Sequence, residues 1–231
     1  MSAWLHVFSL DLAVALAAVL VLLTDAFFRV PGRTLGWFTA AALAGVLAAS
    51  FFVDVRGVTP HAAYVSGPWV LFFKRVFLSA GALGVLGSID WLDRYTPRRQ
   101  AEYYALLLFS LTGMMVLPGA RDWVLLVVAF ELMGIPLYVL AAFAKTDGPI
   151  DQPKLGPEAG LKLFVTGVAS SAFTLFGLAL VIGGAGSTQL SAVPPGELSP
   201  LVSAGMLMVL AGFGFKVGAV PFHMWVPDTY E

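Results

Sequence analysis

The sequence of 231 residues contains no cysteine and has few charged residues. The absence of cysteine excludes disulfide bonds, thiolate-bound zinc and cysteine-held iron–sulfur clusters in this chain. Charged residues make up 12% of the sequence, about half the share of a soluble domain. The net charge of -1 argues against nucleic acid as a partner. No glycine-rich phosphate loop of the dinucleotide-binding or Walker type is present either, so nucleotide binding is not expected.

Apolar residues dominate the chain instead. They make up 59% of the sequence, and the mean hydropathy is +0.87. Several segments are long enough to cross a bilayer as helices, near residues 5–28, 35–53, 69–92, 102–117, 121–144, 157–183 and 201–220. The first is too long, and lacks the basic start, for a cleaved signal peptide. The sequence therefore predicts an all-α polytopic protein of about seven transmembrane helices in the lipid bilayer.

The distribution of basic residues predicts the orientation of the chain. Loops after the first, third and fifth segments carry most of them: Arg29, Arg33, Arg94, Arg98, Arg99, Lys145 and Lys154. The other loops hold Arg56 and Arg121, with Lys74 and Arg75 assigned to the membrane interface. Because cytoplasmic loops carry the excess of lysine and arginine, the N-terminus is predicted to lie outside the cell.

Two aspartates of the first segment are predicted to be peripheral. Asp25 has Arg29 four residues later, a spacing that allows an ion pair near the cytoplasmic interface. Asp11 lies near the other end of the segment, where water would solvate it. Both therefore carry less weight than the deeper charges as candidate functional residues.

Two charged residues lie deep within apolar segments. A charged side chain at the bilayer centre costs about 2.5–3.5 kcal/mol on insertion scales. Glu131 lies near the middle of the fifth segment, and its short stem and apolar flanks favour a functional role. Lys216 lies deep in the seventh segment, and it could extend to the interface only if the helix ended there. Pro136 and Pro221 each remove a helical hydrogen bond beside one of these charges, so both charges are predicted to lie near an opening to water.

The sixth segment carries a shallower lysine and a stripe of hydroxyl groups. Lys162 follows Glu158 at i+4, so it is either a relay residue or half of an interfacial ion pair. Thr166, Ser170 and Thr174 continue its face at the same spacing. These hydroxyl groups indicate either a possible polar path or small-residue helix packing, to which Gly167 and Ser171 also point.

These residues predict a proton relay or ion path rather than an active site. Desolvation disfavours the charged form of a buried lysine, and a nearby carboxylate restores it. Moving Glu131 relative to a lysine would therefore switch that lysine between holding and releasing a proton. His223 either passes a proton onward, since histidine titrates near neutrality, or forms hydrogen bonds at the interface.

Three stretches of the sequence resemble the antiporter-like membrane subunits of respiratory complex I. Residues 130–138, FELMGIPLY, resemble the glutamate segment of the family's fifth helix. Residues 158–164, EAGLKLF, resemble the start of its sixth helix, with Leu163 in place of the usual tyrosine and Gly160 in place of alanine. Residues 212–231, from GFGFK to PFHMWVPDTYE, resemble its longest signature.

The resemblance implies a role for each charged residue. Glu131 and Lys162 would form the charge pair, Lys216 would be the central proton carrier on a broken seventh helix, and His223 would continue the hydrophilic axis. The resemblance also implies two inverted repeats. Residues 1–100 would then be an N-terminal three-helix segment, and residues 101–231 the first repeat, incomplete at its C-terminus.

The resemblance further implies a proton-translocating subunit of an NADH-quinone oxidoreductase in the bacterial cytoplasmic (inner) membrane. Such a subunit has no cofactor of its own, and flavin, iron–sulfur clusters and quinone would belong to partner subunits. Other membrane subunits would flank it on both sides. Two alternatives are a subunit of a multi-subunit sodium/proton antiporter and a scaffold whose charges only fix helix packing.

Overall fold

The computed structural model describes residues 8–28, 30–53, 63–96, 99–143, 155–193, 196 and 198–230. These residues form seven long helices and one short helix. The long helices are α1 (Ser9–Phe28), α2 (Gly32–Ser50), α3 (Pro68–Tyr95), α4 (Gln100–Val116), α5 (Trp123–Ala141), α6 (Leu155–Ala185) and α7 (Pro200–Lys216). The short helix is α8 (Trp225–Tyr230), and 3-10 turns cover Leu117–Gly119 and Leu190–Ala192.

The helices confirm the predicted membrane architecture. Within the described ranges, α1, α3, α4, α5 and α6 are long and apolar enough to cross a membrane by themselves. The other two long helices are α2, with 19 residues, and α7, a shorter apolar helix of 17 residues. Large apolar side chains such as Phe28, Trp37 and Phe176 are exposed on the outside of the bundle, as expected for surfaces that face lipid. The chain is a multi-pass membrane protein.

Helices α1 to α4 form an N-terminal group with one apolar core. Its fully buried side chains include Val14 on α1, Leu43 on α2, Leu78 on α3 and Leu108 on α4. Helix α4 also packs along α5, so it joins this group to the rest of the bundle. The domain boundary near residue 100 stays a prediction, because α4 contributes to both sides of it.

Helices α5, α6 and α7 form the second group, in which α6 and α7 make the most extensive helix–helix contact of the described residues. Glycines allow this close approach. A Cβ atom on Gly177 of α6 would lie 2.6 Å from the carbonyl oxygen of Gly205 on α7, and the reverse holds equally. Small residues let transmembrane helices pack backbone to backbone.

Short backbone pairings tie the two groups together at one end of the bundle. The amide of Val65 donates to the carbonyl of Gly119 at 2.8 Å, and the amide of Leu190 donates to the carbonyl of Arg121 at 2.9 Å. The segment before α5 is therefore held by the segment before α3 on one side and the segment after α6 on the other.

Helix α7 ends at Lys216, which confirms the broken seventh helix but corrects its cause. The sequence assigned the break to Pro221. In the structure, Gly218 adopts a φ of 64° and closes the helix two residues after Lys216. The amide of Gly218 donates to Phe215 and that of Ala219 to Gly214, which is the bonding pattern of a glycine-capped C-terminus. Pro221 lies beyond this cap, so it cannot be the residue that ends the helix.

Candidate proton-transfer site

Lys216 is the last residue of α7, and its ammonium group lies between two partners. Its Nζ atom is 3.4 Å from Oε1 of Glu131 and donates a hydrogen bond of 2.8 Å to the hydroxyl of Tyr138. The Lys216 side chain is 10% exposed. The C-terminal end of a helix carries partial negative charge, which favours a cation at this position. The ammonium is therefore held by a carboxylate, a phenol and a helix end.

Glu131 lies at the middle of α5, and its carboxylate has a second partner on α6. The same Oε1 atom accepts a 2.7 Å hydrogen bond from the hydroxyl of Ser171. Phe130 stacks on Phe213 of α7 with ring centres 4.8 Å apart, which fixes α5 against α7 beside the charges. Glu131 can thus keep a hydrogen-bond donor when Lys216 moves or loses its proton.

Tyr138 is a site residue that the sequence reasoning missed. It is 7% exposed, and two glycines make room around it. A Cβ atom on Gly134 would lie 2.7 Å from Nζ of Lys216, and one on Gly167 would lie 2.5 Å from the Tyr138 hydroxyl. The spacing of Tyr138, seven residues after Glu131, places both on one face of α5 and is the signal that could have identified it.

A cavity borders this site. Its volume is about 300 Å³, and its lining includes Lys216, Tyr138, Leu163, Trp225 and Thr229. A water molecule occupies about 30 Å³ of liquid volume, so the cavity has room for several. Trp225 of α8 also donates from Nε1 to the carbonyl of Phe215 at 3.0 Å, which holds α8 against the end of α7. The Lys216 ammonium therefore faces a space that water can fill.

Lys162 lies away from the Glu131 carboxylate. It forms a 2.9 Å ion pair with Glu158, and both side chains are largely exposed, as the interfacial alternative predicts. Ser171, the partner of Glu131 on α6, lies nine residues beyond Lys162, about 13 Å along the helix axis. The structure pairs Glu131 with Lys216, and the expected role of Lys162 stays a prediction.

The hydroxyl stripe of α6 is satisfied by backbone carbonyl groups. Thr166 donates to Lys162 at 2.6 Å, Ser170 to Gly212 of α7 at 2.9 Å, and Thr174 to Ser170 at 3.0 Å. The bond from Ser170 to α7 is what the packing alternative predicts. Thr166 and Ser170 also line an apolar cavity of about 420 Å³. A polar path along this face stays a prediction.

His223 lies in the exposed turn between α7 and α8. Its carbonyl accepts a 3.0 Å hydrogen bond from the amide of Val226. It does not continue the helix of Lys216, because the chain has already turned at Gly218. Its role in proton transfer stays a prediction.

One expectation about peripheral charges is wrong. Asp11 is buried rather than solvated, and Lys74 is buried beside it. The two form an ion pair of 2.5 Å with both side chains 4% exposed. The predicted interfacial position of Lys74 stays a prediction. Arg75 donates to the carbonyl of Ser50 at 2.9 Å and so caps the end of α2. Arg29, the predicted partner of Asp25, lies outside the described residues.

Comparison with known proteins supports the resemblance found in the sequence. Residues 120–231 match the family described as NADH:quinone oxidoreductase/Mrp antiporter, TM. NADH-quinone oxidoreductase subunit N of Heliobacterium modesticaldum is 39% identical over 201 residues, covering 86% of this chain and 41% of the relative. Subunit N of Moorella thermoacetica is 40% identical over 203 residues, again covering 86% and 41%. The chain thus spans less than half the length of these relatives.

Solved structures share the fold. A chain of respiratory complex I from Thermus thermophilus, solved with bound aureothin, matches with a TM-score of 0.72 and 30% identity over 96% of this chain and 47% of that chain. A chain of the Mrp complex from Dietzia sp. matches with a TM-score of 0.68 and 23% identity, over 96% and 25%, which shows a common fold. The resemblance to antiporter-like subunits is confirmed. The similarity to subunit N also fits residues 21–28, VLLTDAFF, and residues 71–74, LFFK.

Proposed function

We propose that this chain, whose residues 120–231 carry the membrane domain of the NADH:quinone oxidoreductase/Mrp antiporter family, belongs to a proton-translocating subunit of an NADH-quinone oxidoreductase. The observation that supports this most is the position of the Lys216 ammonium. It lies at the end of a broken helix, 3.4 Å from a carboxylate and 2.8 Å from a phenol, beside a cavity of about 300 Å³. The chain covers part of its relatives, so the activity of the whole subunit is part of the proposal.

The proton step follows from the two partners of Glu131. When the carboxylate lies beside Lys216, opposite charge favours the protonated lysine. When the carboxylate moves away from Lys216 and keeps the 2.7 Å hydrogen bond from Ser171, the ammonium loses its counter-charge. Burial then favours the neutral amine, and Lys216 releases its proton. A small movement of Glu131 therefore controls whether Lys216 holds a proton.

The hydroxyl of Tyr138 is the nearest group that accepts a hydrogen bond from Lys216, so the proton path begins there. Its hydroxyl can accept a hydrogen bond from Lys216 and donate one onward, which an apolar side chain cannot do. It also lies against Gly167, five residues after Lys162 on α6. We place Tyr138 between Lys216 and the Lys162 end of α6, with His223 and the turn after α7 on the other side of Lys216. The hydroxyls of Thr166, Ser170 and Thr174 provide a further polar face on α6.

The redox chemistry is assigned to partner subunits. Flavin, iron–sulfur clusters and quinone would bind there, and charge movement at Lys216 would be coupled to quinone reduction at a distance. Other membrane subunits would flank this one on both sides. The location is the bacterial cytoplasmic (inner) membrane, with the N-terminus outside as the basic loops predict.

The test compares Lys216→Met with the wild-type full-length subunit in native membranes. We expect proton pumping per NADH oxidised to fall strongly while the assembled complex persists. Arg33→Met is the control, because it removes an exposed cation whose 3.3 Å bridge to Asp90 lies on the surface. Unchanged pumping in Lys216→Met would contradict the relay, and unchanged pumping with reduced assembly would indicate a scaffold.

A sodium/proton antiporter subunit is the second candidate, because the matched family includes Mrp antiporters. A carboxylate and a lysine can serve either ion. The two functions differ in what drives proton movement. If the chain belongs to an antiporter, a sodium gradient alone, without NADH, should change the internal pH of membrane vesicles. The proposed oxidoreductase subunit would respond to NADH and quinone instead.

A further inference from the structure

A second buried carboxylate–lysine pair lies in the N-terminal group, far along the chain from the proposed relay. Asp11 of α1 and Lys74 of α3 are each 3% exposed. The ammonium of Lys74 contacts Oδ2 of Asp11 and also lies 5.7 Å from the ring centre of Tyr64 and 6.0 Å from that of Phe8. One oxygen of the carboxylate is therefore neutralised by a lysine that two aromatic rings enclose.

The other oxygen of Asp11 is buried without a hydrogen-bond donor in the described part of the chain. This oxygen, Oδ1, and the hydroxyl of Tyr64 are both buried polar atoms that lack a partner there. A buried carboxylate oxygen without a donor is costly, since it has lost its water and gained nothing in return. Either a proton on Oδ1 or a water molecule donating to it would remove that cost.

Tyr64 is placed to complete such a site. Its side chain is fully buried, and its ring packs on Phe8 with centres 4.5 Å apart. Burial raises the pKa of Tyr64, and the negative charge of Asp11 raises it further, so the phenol stays protonated. A protonated phenol can donate to a carboxylate through water, and it can accept a hydrogen bond from a protonated carboxyl group.

The backbone holds this arrangement rigidly. The Tyr64 segment pairs with the segment before α5, where the backbone amide of Arg121 donates to the carbonyl of Ala63 at 2.8 Å. A Cβ atom on Gly119 would collide with the Tyr64 ring, so glycine is needed where the two segments cross. The neighbouring cation, Arg75, is directed to Ser50 of α2 instead. Among the described residues, the groups that titrate and face the site are thus Asp11, Lys74 and Tyr64.

We propose that Asp11, Lys74 and Tyr64 form a second proton-binding site where α1 and α3 begin, with a water molecule bridging Oδ1 of Asp11 and the Tyr64 hydroxyl. The proton binds at Oδ1 and displaces nothing, because Lys74 stays on Oδ2. The free carboxylate oxygen then becomes a donor, and the bridging water or the phenol becomes its acceptor. The site binds water and protons, and it does not depend on the Glu131–Lys216 relay.

Infrared difference spectroscopy of the assembled complex, recorded as the pH is lowered, tests this site. Solvent-exposed aspartates also protonate and give a broad absorption. The wild type with carboxyl-labelled aspartate should develop, in addition to that absorption, the distinct carbonyl stretch of a buried protonated aspartic acid. Asp11→Asn should lose that band. Asp25→Asn, on the same helix but only partly buried, is the matched control and should retain it.

Tyr64→Phe tests the same site without changing a charge. It removes only the hydroxyl, so the Asp11 band should shift in frequency while the complex stays assembled. A wild type without the band, or an Asp11→Asn variant that keeps it, would overturn the proposal. If the Asp11→Asn complex does not assemble, Tyr64→Phe decides the test. A carbonyl band at the wild-type frequency in Tyr64→Phe would also overturn the proposal.

Discussion

Two carboxylate–lysine pairs among the described residues differ in how closely their charges approach and in how exposed they are. In the N-terminal pair, Asp11 and Lys74 are in direct contact and both side chains are 4% exposed. In the second pair, Glu131 and Lys216 are 3.4 Å apart, 27% and 10% exposed, and each has another partner in Ser171 or Tyr138. The direct contact between Asp11 and Lys74 links α1 to α3, and the proposed proton binds at the other carboxylate oxygen. The Glu131–Lys216 pair is looser and has alternative partners, which suits the passage of a proton. A carboxylate and a lysine thus act differently in the two groups of helices.

Breaking the tight pair should have the largest effect on stability. Lys74→Met leaves the buried Asp11 carboxylate without its counter-charge, which typically costs about 3–5 kcal/mol. We expect a marked loss of assembled complex, measured by thermal stability in detergent. The double variant Asp11→Asn, Lys74→Met removes both charges and should recover most of that loss. If Lys74→Met is as stable as the wild type, the pair is not a clamp between α1 and α3.

Glu131→Gln should affect pumping more than stability. The amide can still accept the hydrogen bond from Ser171, so the fold should persist. It cannot balance the charge of Lys216, and we expect pumping per NADH to fall about tenfold, equivalent to about 1.4 kcal/mol. Glu102→Gln, in the exposed first turn of α4, is the control. Equal pumping in the two variants would remove Glu131 from the relay.

Tyr138→Phe should reduce proton pumping through the Glu131–Lys216 pair less than Glu131→Gln does. It deletes the 2.8 Å hydrogen bond to Lys216, worth about 1 kcal/mol, and leaves the ring in place. We expect pumping to slow a few-fold with assembly unchanged. Tyr95→Phe, exposed at the end of α3, is the matched control. A Tyr138→Phe variant with wild-type pumping would show that the phenol only packs against Lys216.

Gly167→Ala should have the smallest effect. The added methyl would lie 2.5 Å from the Tyr138 hydroxyl, so the phenol must shift away from α6. Gly183→Ala is the matched control on the same helix, because nothing lies within 4 Å of its Cβ position. Pumping should fall slightly in Gly167→Ala and not in Gly183→Ala. If both variants pump alike, the position of the hydroxyl is not critical.

The sequence predicted the helices and the two deep charges because both depend on hydropathy along the chain. Long apolar segments form helices in lipid wherever they pack, and Glu131 and Lys216 were identified by the apolar residues around them. The pairing of Asp11 with Lys74 was missed because it depends on how α1 packs against α3. A charge near a segment end is equally consistent with water or with a buried partner.

The side-chain contacts of the relay were not predicted either, because they also depend on how the helices pack. The spacing of residues along the helices could not predict which lysine contacts Glu131, because that contact depends on where α7 ends relative to α5. The sequence placed the break at Pro221, while Gly218 ends the helix at Lys216 through a positive φ. Tyr138 was overlooked because aromatic residues are common in apolar helices, and its hydroxyl matters only once Lys216 is beside it.

In the proposed relay, Lys216 acts by releasing a proton rather than by carrying a fixed charge. Proton pumping per NADH in a Lys216→Arg variant of the full-length subunit, measured in native membranes, tests this most directly. Arginine keeps the positive charge beside Glu131 but does not lose its proton in a protein. The Lys216→Arg complex should assemble and oxidise NADH but pump far fewer protons. Wild-type pumping by Lys216→Arg would contradict it and leave the pair a purely electrostatic one.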